Sequence, residues 1–173
     1  VSTGPEIWRQ MGADLDTVVV GIGTDGTVVG ISRYLREKNP KIQIVGVDPL
    51  GSIYFDLFHH QRHFEPHSYK VEGIGEDFMP STMDLKCMDD VIQVNDDESF
   101  KMTRQLITRE GLLCGGSSGA AMAGAIKWVK KRLSGLGREK PNVLTLLPDS
   151  SSRYLSTFLK FSLLPDVHGL FTR

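Results

Sequence analysis

Short apolar runs rich in β-branched residues alternate along the chain with longer segments of mixed character. The runs at 17–21, 42–47, 91–94 and 143–147 predict strands, because a parallel strand covered on both faces has no polar side to show. Helices are expected at 27–38, 96–110, 118–133 and 152–161. In the second of these, Phe100, Leu106 and Ile107 take core-compatible positions, while Asp96, Asp97 and Glu98 fill a first turn where the helix dipole favours negative charge. Strand and helix in alternation predict an α/β fold, an open and mostly parallel sheet in three layers with helices on both faces. The glycine- and charge-rich segment 135–141 reads as a surface linker before the last strand. Residues 1–163 are expected to form one domain and 164–173 a C-terminal tail.

Composition narrows this little. With 173 residues, of which 40% are hydrophobic and 24% charged, the chain suits a single core rather than two. A formal net charge of −1 provides no general basic field, so no nucleic-acid partner is expected. The cluster Lys127-Trp128-Val129-Lys130-Lys131-Arg132 reads as a solvated helix end, where cations complement the dipole. Cys87 and Cys114 make neither a disulfide framework nor a close-spaced metal pair, which points to a reducing, cytoplasmic setting. No apolar run approaches the roughly 20 residues of a membrane helix, so no membrane partner is expected.

Some conspicuous residues carry little chemistry on this reading. His59, His60, His63 and His67 crowd one segment, and His59 with His63 has the i, i+4 spacing of a metal pair. Pro66 interrupts the segment and no cysteine or carboxylate completes a ligand set, so an exposed loop without metal is expected. Cys114 is read as a small packed residue. Gly115, Gly116 and Gly119 allow a tight turn and close helix packing, with Ser117 or Ser118 as the helix cap.

The candidate chemistry lies where the first strand meets the first predicted helix, in Gly21-Ile22-Gly23-Thr24-Asp25-Gly26-Thr27. Glycines there let backbone approach a ligand closely, and free N–H groups at a helix start favour an anion. The spacing Gly21-x-Gly23-x-x-Gly26, with Asp48 ending the next strand, fits a dinucleotide fingerprint in which Asp48 accepts from a ribose hydroxyl. Spacing alone leaves an NAD-binding domain open.

Three further segments change the weighting. They are Val71-Glu72-Gly73-Ile74-Gly75-Glu76-Asp77-Phe78-Met79-Pro80, Glu110-Gly111-Leu112-Leu113-Cys114-Gly115-Gly116-Ser117-Ser118-Gly119-Ala120, and Leu147-Pro148-Asp149-Ser150. In this order with the glycine loop they resemble the cystathionine β-synthase and cysteine synthase family of fold type II pyridoxal-phosphate enzymes. The resemblance runs from Thr3-Gly4-Pro5-Glu6-Ile7-Trp8 to about residue 159, and Val47-Asp48-Pro49 also fits it, which makes Asp48 a strand-end turn residue.

The resemblance implies the tryptophan synthase β-like large domain and a set of cofactor contacts. Gly23, Thr24, Gly26 and Thr27 would wrap the phosphate of pyridoxal 5′-phosphate, and the Ser150 hydroxyl would bond the pyridine nitrogen. A neutral partner there leaves the nitrogen largely unprotonated, which favours β-elimination and replacement over transamination. Gly73, Gly75 and Glu76 would form the wall facing the substrate. The family's cofactor-anchoring lysine stands upstream of the glycine loop, so 1–163 would be most of the large domain, lacking the N-terminal small domain and inactive alone. Lys70, in Ser68-Tyr69-Lys70, mimics the lysine's setting but leads into the Gly73 segment and is read as unrelated; no catalytic residue is assigned. The resemblance also implies a homodimer and amino-acid substrates, serine and homocysteine.

Two residues depart from the family pattern. Asp25 stands where the family carries glycine, and Glu76 where cystathionine β-synthases generally carry tyrosine. A carboxylate beside a dianionic phosphate costs about several kcal/mol at a protein's effective dielectric, unless it faces solvent or caps the helix. These changes keep open a non-catalytic copy of the fold acting as an interaction module. The segments Thr3-Gly4-Pro5-Glu6-Ile7-Trp8 and Arg153-Tyr154-Leu155-Ser156-Thr157 look closer to the cysteine synthase branch.

Overall fold

The computed structural model describes residues 2–24, 26–62, 65–135 and 141–154. In chain order the elements are α1 (Thr3–Met11), β1 (Thr17–Gly21), α2 (Gly26–Lys38), β2 (Gln43–Pro49), α3 (Tyr54–His60), β3 (Asp90–Val94), α4 (Asp96–Glu110), α5 (Gly116–Gly135) and β4 (Val143–Thr145). Single 3-10 turns at Gly12–Asp14, Leu85–Cys87 and Ser151–Arg153 join them.

All strand pairs are parallel, in the order β3-β2-β1-β4, with Val19 opposite both Val45 and Thr145 and Val47 opposite Ile92. Alternation along each strand then splits the core in two. Val18, Val20, Ile44 and Val91 face α1, α2 and α3, meeting Ile7, Val28, Ile31, Leu35 and Tyr54. Val19, Val45, Val47 and Val94 face the other way, onto Ala120, Ala123 and Trp128 of α5, with Phe100 and Met102 of α4 packed against them. Helices therefore cover both faces, in three layers, as the apolar strand runs require.

The differences from expectation lie at element ends. Strand β2 starts one residue later and continues through Pro49, because β3 pairs with it as far as Pro49 opposite Val94. Strand β4 stops at Thr145; beyond it the chain leaves β1 and forms an antiparallel bridge between Ser150 and Cys114. Helix α5 begins at Gly116, so Ser117 and Ser118 lie buried within its first turn rather than capping it. Neither α1 nor α3 was expected. Helix α1 carries few apolar residues, though Pro5 in its first turn is a recognisable start signal, and it packs so closely on α2 that a Cβ on Gly4 would lie 3.0 Å from Tyr34 Cβ. The segments 136–140 and 155–173, with the tail and most of the helix expected at 152–161, lie outside the described residues.

The acidic start of α4 is capping, as its sequence suggests. Asn95 Oδ1 accepts from Glu98 N and Glu98 Oε2 accepts from Asn95 N, both at 2.9 Å. Asp96 instead accepts the backbone N–H groups of Lys70 and Val71, tying down the segment that leads to residues 72–76. The basic end of α5 is paired rather than free: Lys127 bonds Glu98, Lys131 bonds Asp90, and the Arg132 guanidinium lies 5.2 Å from the Trp128 ring centroid.

Gly119 is where α5 comes closest to α4, since a Cβ there would collide with Thr103 Oγ1 and the Ser99 carbonyl. Gly119→Ala is expected to cost about 2 kcal/mol or more. Gly30, in mid-α2, faces open space, and Gly30→Ala is expected to add about 0.5–1 kcal/mol. Urea denaturation midpoints of the two variants check both signs.

Candidate functional site

The parallel sheet brings the C-terminal ends of β1, β2 and β4 to one edge, and the candidate residues collect there. Strand β1 ends at Gly21, Ile22 N still donates to Val47 O at 3.1 Å, and α2 starts at Gly26. Between them Thr24 is exposed, as are Gly26 and Thr27 at the start of α2, and no heavy atom lies within 4 Å of a Cβ built on Gly26. The first turn of α2 holds no acidic residue. Asp25 lies outside the described residues. Two carbonyls of the loop are held from outside it: Tyr54 Oη donates to Gly23 O and Thr82 Oγ1 to Thr24 O, each at 2.6 Å.

Residues 73–76 form a wall beside this loop. Gly73 and Gly75 take φ of +83° and +79°, the left-handed region that disfavours side chains. Ile74 packs so tightly on Gly21 that a Cβ there would lie 2.6 Å from Ile74 Cγ2, and Gly75 N donates to Ile22 O at 2.6 Å. A Cβ on Gly23 would sit 3.5 Å from Gly73 O, so loop and wall are in van der Waals reach. Glu76 is fixed through its backbone, N to Ser52 Oγ at 3.0 Å and O from Ile53 N at 3.2 Å. Burial and then the carboxylates of Asp48, Glu76 and Asp77 push the Tyr69 phenol above its ordinary value.

Asp48 is fully buried, and its Oδ2 accepts from Phe55 N at 2.9 Å at the start of α3. It is a strand-end turn residue, as the family resemblance implies, and it cannot reach a ribose in solvent.

Ser150 lies exposed beyond β4, bridged to Cys114. Its Oγ accepts from Ser152 N at 3.3 Å, which leaves the hydroxyl proton to donate elsewhere. Backbone bonds from Gly115 N to Asp149 O and from Ser151 N to Leu113 O zip the two segments together. The Asp149 carboxylate fills the space beside Gly115, just before α5, where a helix N-terminus favours negative charge. Its Oδ2 accepts from Tyr154 Oη at 2.5 Å, and that bond, helped by burial, pushes the Tyr154 phenol up to about 12. Cys114 is buried, and burial pushes its thiol up although Ser118 partly offsets this. It is a packed residue and a poor nucleophile at neutral pH.

The structure thus brings Gly23, Thr24, Gly26 and Thr27 together with Gly73, Gly75 and Glu76, and sets Ser150 on the same edge. Backbone amides at a helix start, two threonine hydroxyls and open space over Gly26 fit a phosphate group. A serine hydroxyl with its proton available fits a ring nitrogen that accepts. The donor set suits pyridoxal phosphate.

The comparisons with known proteins agree. Residues 1–149 match the family described as pyridoxal-phosphate dependent enzyme. The chain belongs to that family. Within it, the chain is 44% identical to the cystathionine beta-synthase of Rattus norvegicus over 157 residues, 91% of this chain and 27% of that protein. It is 40% identical to the O-acetylserine dependent cystathionine beta-synthase of Bacillus subtilis (strain 168) over 153 residues, 88% of this chain and 46% of that protein. It is 37% identical to the cysteine synthase of Buchnera aphidicola subsp. Schizaphis graminum (strain Sg) over 160 residues, 91% of this chain and 48% of that protein. The chain therefore spans less than half the length of these relatives. A pyridoxal-phosphate enzyme family member with this loop geometry does not support the NAD reading, and the fold is the family's.

His59 and His60 end α3 instead of lying in a loop, and His59 Nε2 lies 2.8 Å from Val91 O and 3.4 Å from Asp90 Oδ1. His63 lies outside the described residues, among which no three His, Cys, Asp or Glu side chains are placed to hold a metal. Lys70 is exposed at the surface, with its backbone N–H on Asp96. A cavity of about 310 Å³ lies away from the site, between α5 and β4, and is lined by Met122, Ile126, Val129 and Val143. Among the described residues no helix is long and apolar enough to cross a membrane. Sequence reading missed Tyr54 and Thr82, whose roles depend on contacts across 31 and 58 residues.

The Tyr154 shift has a defined sign. Because its folded pKa of about 12 lies above the ordinary 10.0, the folded state holds the proton more tightly. That contribution to stability is intact below pH 10.0 and is lost as the pH rises towards about 12. Tyrosinate absorbance of the folded protein should show a step near pH 12 that Tyr154→Phe removes, while the raised ionisation of Tyr69 remains in the variant.

Proposed function

We propose that residues 1–163 are most of the cofactor-cradling large domain of a pyridoxal-phosphate β-replacement enzyme of the cystathionine β-synthase kind, joining serine to homocysteine. The observation that supports this is the contact between the glycine loop that opens α2 and the glycine wall at 73–76, at the same end of the parallel sheet beyond which Ser150 follows β4. The names of the relatives support the same reading.

In this reading the N–H groups of the loop and the hydroxyls of Thr24 and Thr27 hold the cofactor phosphate. Ser150 donates to the ring nitrogen and keeps it neutral. Bound pyridoxal phosphate supplies an electron sink that loosens bonds at the α- and β-carbons of an amino acid. Gly73 and Gly75 let the backbone come close to the substrate, and the Glu76 carboxylate favours a cationic group on that side over an anionic one. The buried thiols Cys87 and Cys114 suit a reducing cytoplasm, and the family resemblance supports a homodimer.

The 37% identity to a cysteine synthase favours a second reading, in which sulfide replaces homocysteine as nucleophile. Assay of the full-length protein with serine or O-acetylserine against homocysteine and sulfide separates the two. Calorimetric titration with pyridoxal phosphate tests the cradle itself. Binding is expected in the parent protein, with Asp25→Gly binding at least as tightly; no binding in either protein overturns the cofactor reading.

A further inference from the structure

We infer that Tyr54 and Thr82 are positioning residues of the phosphate loop, their hydroxyls fixing the orientation of its peptide groups. The inference rests on the cofactor reading of that loop. A trans peptide points its C=O and the following N–H in opposite directions. Tyr54 is fully buried, and its hydroxyl draws the Gly23 carbonyl into the body of the domain. The Thr24 N–H on the same peptide is thereby turned outward, on the side where Thr24 is exposed. Thr82, from the turn after residue 80, holds the next carbonyl, that of Thr24, at the same 2.6 Å.

The need for such latches follows from the glycines that make the loop a good cradle. Gly23 has no Cβ to restrict its peptide, so the unit between Gly23 and Thr24 can rotate at little cost. Rotated, it would show a carbonyl oxygen to the phosphate in place of an N–H donor. A single hydroxyl bond opposes that rotation, and two bonds on successive carbonyls oppose it from two different segments. The same stretch that carries Tyr54 also holds the wall, through Ser52 Oγ and Ile53 N on Glu76. Loop and wall therefore share one frame, and the orientation of the phosphate donors is fixed relative to the substrate side.

The test uses the full-length protein with Tyr54→Phe, Thr82→Val, the double variant and the conservative Thr82→Ser. Each single loss is expected to weaken pyridoxal-phosphate binding about 2- to 10-fold, the double variant more than either, and Thr82→Ser not at all. The phosphorus NMR resonance of the bound cofactor should move in the weakened variants, and loop amides should exchange faster in the ligand-free protein. A lower unfolding midpoint with unchanged cofactor affinity and phosphorus resonance would mean a merely structural role and would overturn the inference. Should Tyr54→Phe fail to fold, Thr82→Val, at an exposed position, decides the matter alone. If the wild-type protein binds no pyridoxal phosphate, the cofactor reading falls and takes this inference with it; wild-type binding with unaffected variants sinks the latches only.

Discussion

The candidate site depends on how closely other backbone can approach the end of β1. Gly21 gives up its side-chain space to Ile74, Ile22 O takes the N–H of Gly75, and Gly23 O takes the hydroxyl of Tyr54. Three consecutive residues of the central strand's exit are thus each met by a different partner. The first two of these approaches leave no room for a side chain at Gly21 or Gly75, where a Cβ would lie 2.6 Å from Ile74 Cγ2 and 2.5 Å from Pro49 Cγ. Glycine is required here because two separate pieces of chain must occupy the space beside one strand end. At Gly75 the left-handed φ of +79° demands it as well.

The sheet beneath makes this possible at one edge only. Parallel pairing sends β1, β2, β3 and β4 out on the same side, so whatever follows each strand gathers there. Polar groups at that edge find partners: Asp48 on Phe55 N, Asn95 and Glu98 on one another, and Asp149 on Tyr154. Strand parity divides the apolar interior in two, and the edge contributes to both halves, Ile22 and Tyr54 to one and Val71 and Ile74 to the other.

Much of this was legible in the sequence where one segment suffices to determine its own structure. The valine-rich runs announce strands covered on both faces, and Asp96, Asp97 and Glu98 announce the start of α4 because a helix N-terminus imposes the same requirement everywhere. The glycine loop was legible as an anion site, yet its spacing could not separate a dinucleotide from a phosphorylated pyridine. Only the later motifs separated them, through resemblance. What the sequence hid is tertiary. Spacing left Asp48 open as a ribose ligand or a turn residue and the resemblance chose the second, but the physical reason, its bond to Phe55 N at the start of α3, was announced by no pattern. Ser117 and Ser118 look like caps, but the antiparallel bridge from Ser150 pulls the chain in beside Cys114 and α5 starts ahead of them. Tyr54 and Thr82 resemble any core tyrosine and any surface threonine until the loop they hold is placed beside them.

The electrostatics of the edge sharpen the role of Asp25. Helix α3 begins against the Asp48 carboxylate, α4 against its own Glu98, and α5 beside Asp149. Among the described residues, helix α2 has no acidic residue in its first turn, and its exposed start offers Gly26 and Thr27. That is the arrangement an external anion requires, since an internal carboxylate and a phosphate ask for the same amides. Asp25 immediately precedes this helix in the sequence. On the proposed reading, the Asp25 carboxylate and the cofactor phosphate would ask for the same amides. A dianionic phosphate with several donors has the advantage over a single carboxylate, provided the peptide groups of the loop are held with their N–H bonds outward. On that same reading, the hydroxyls of Tyr54 and Thr82 that bond the Gly23 and Thr24 carbonyls bear directly on that condition, and would tie phosphate binding to residues that never touch the phosphate.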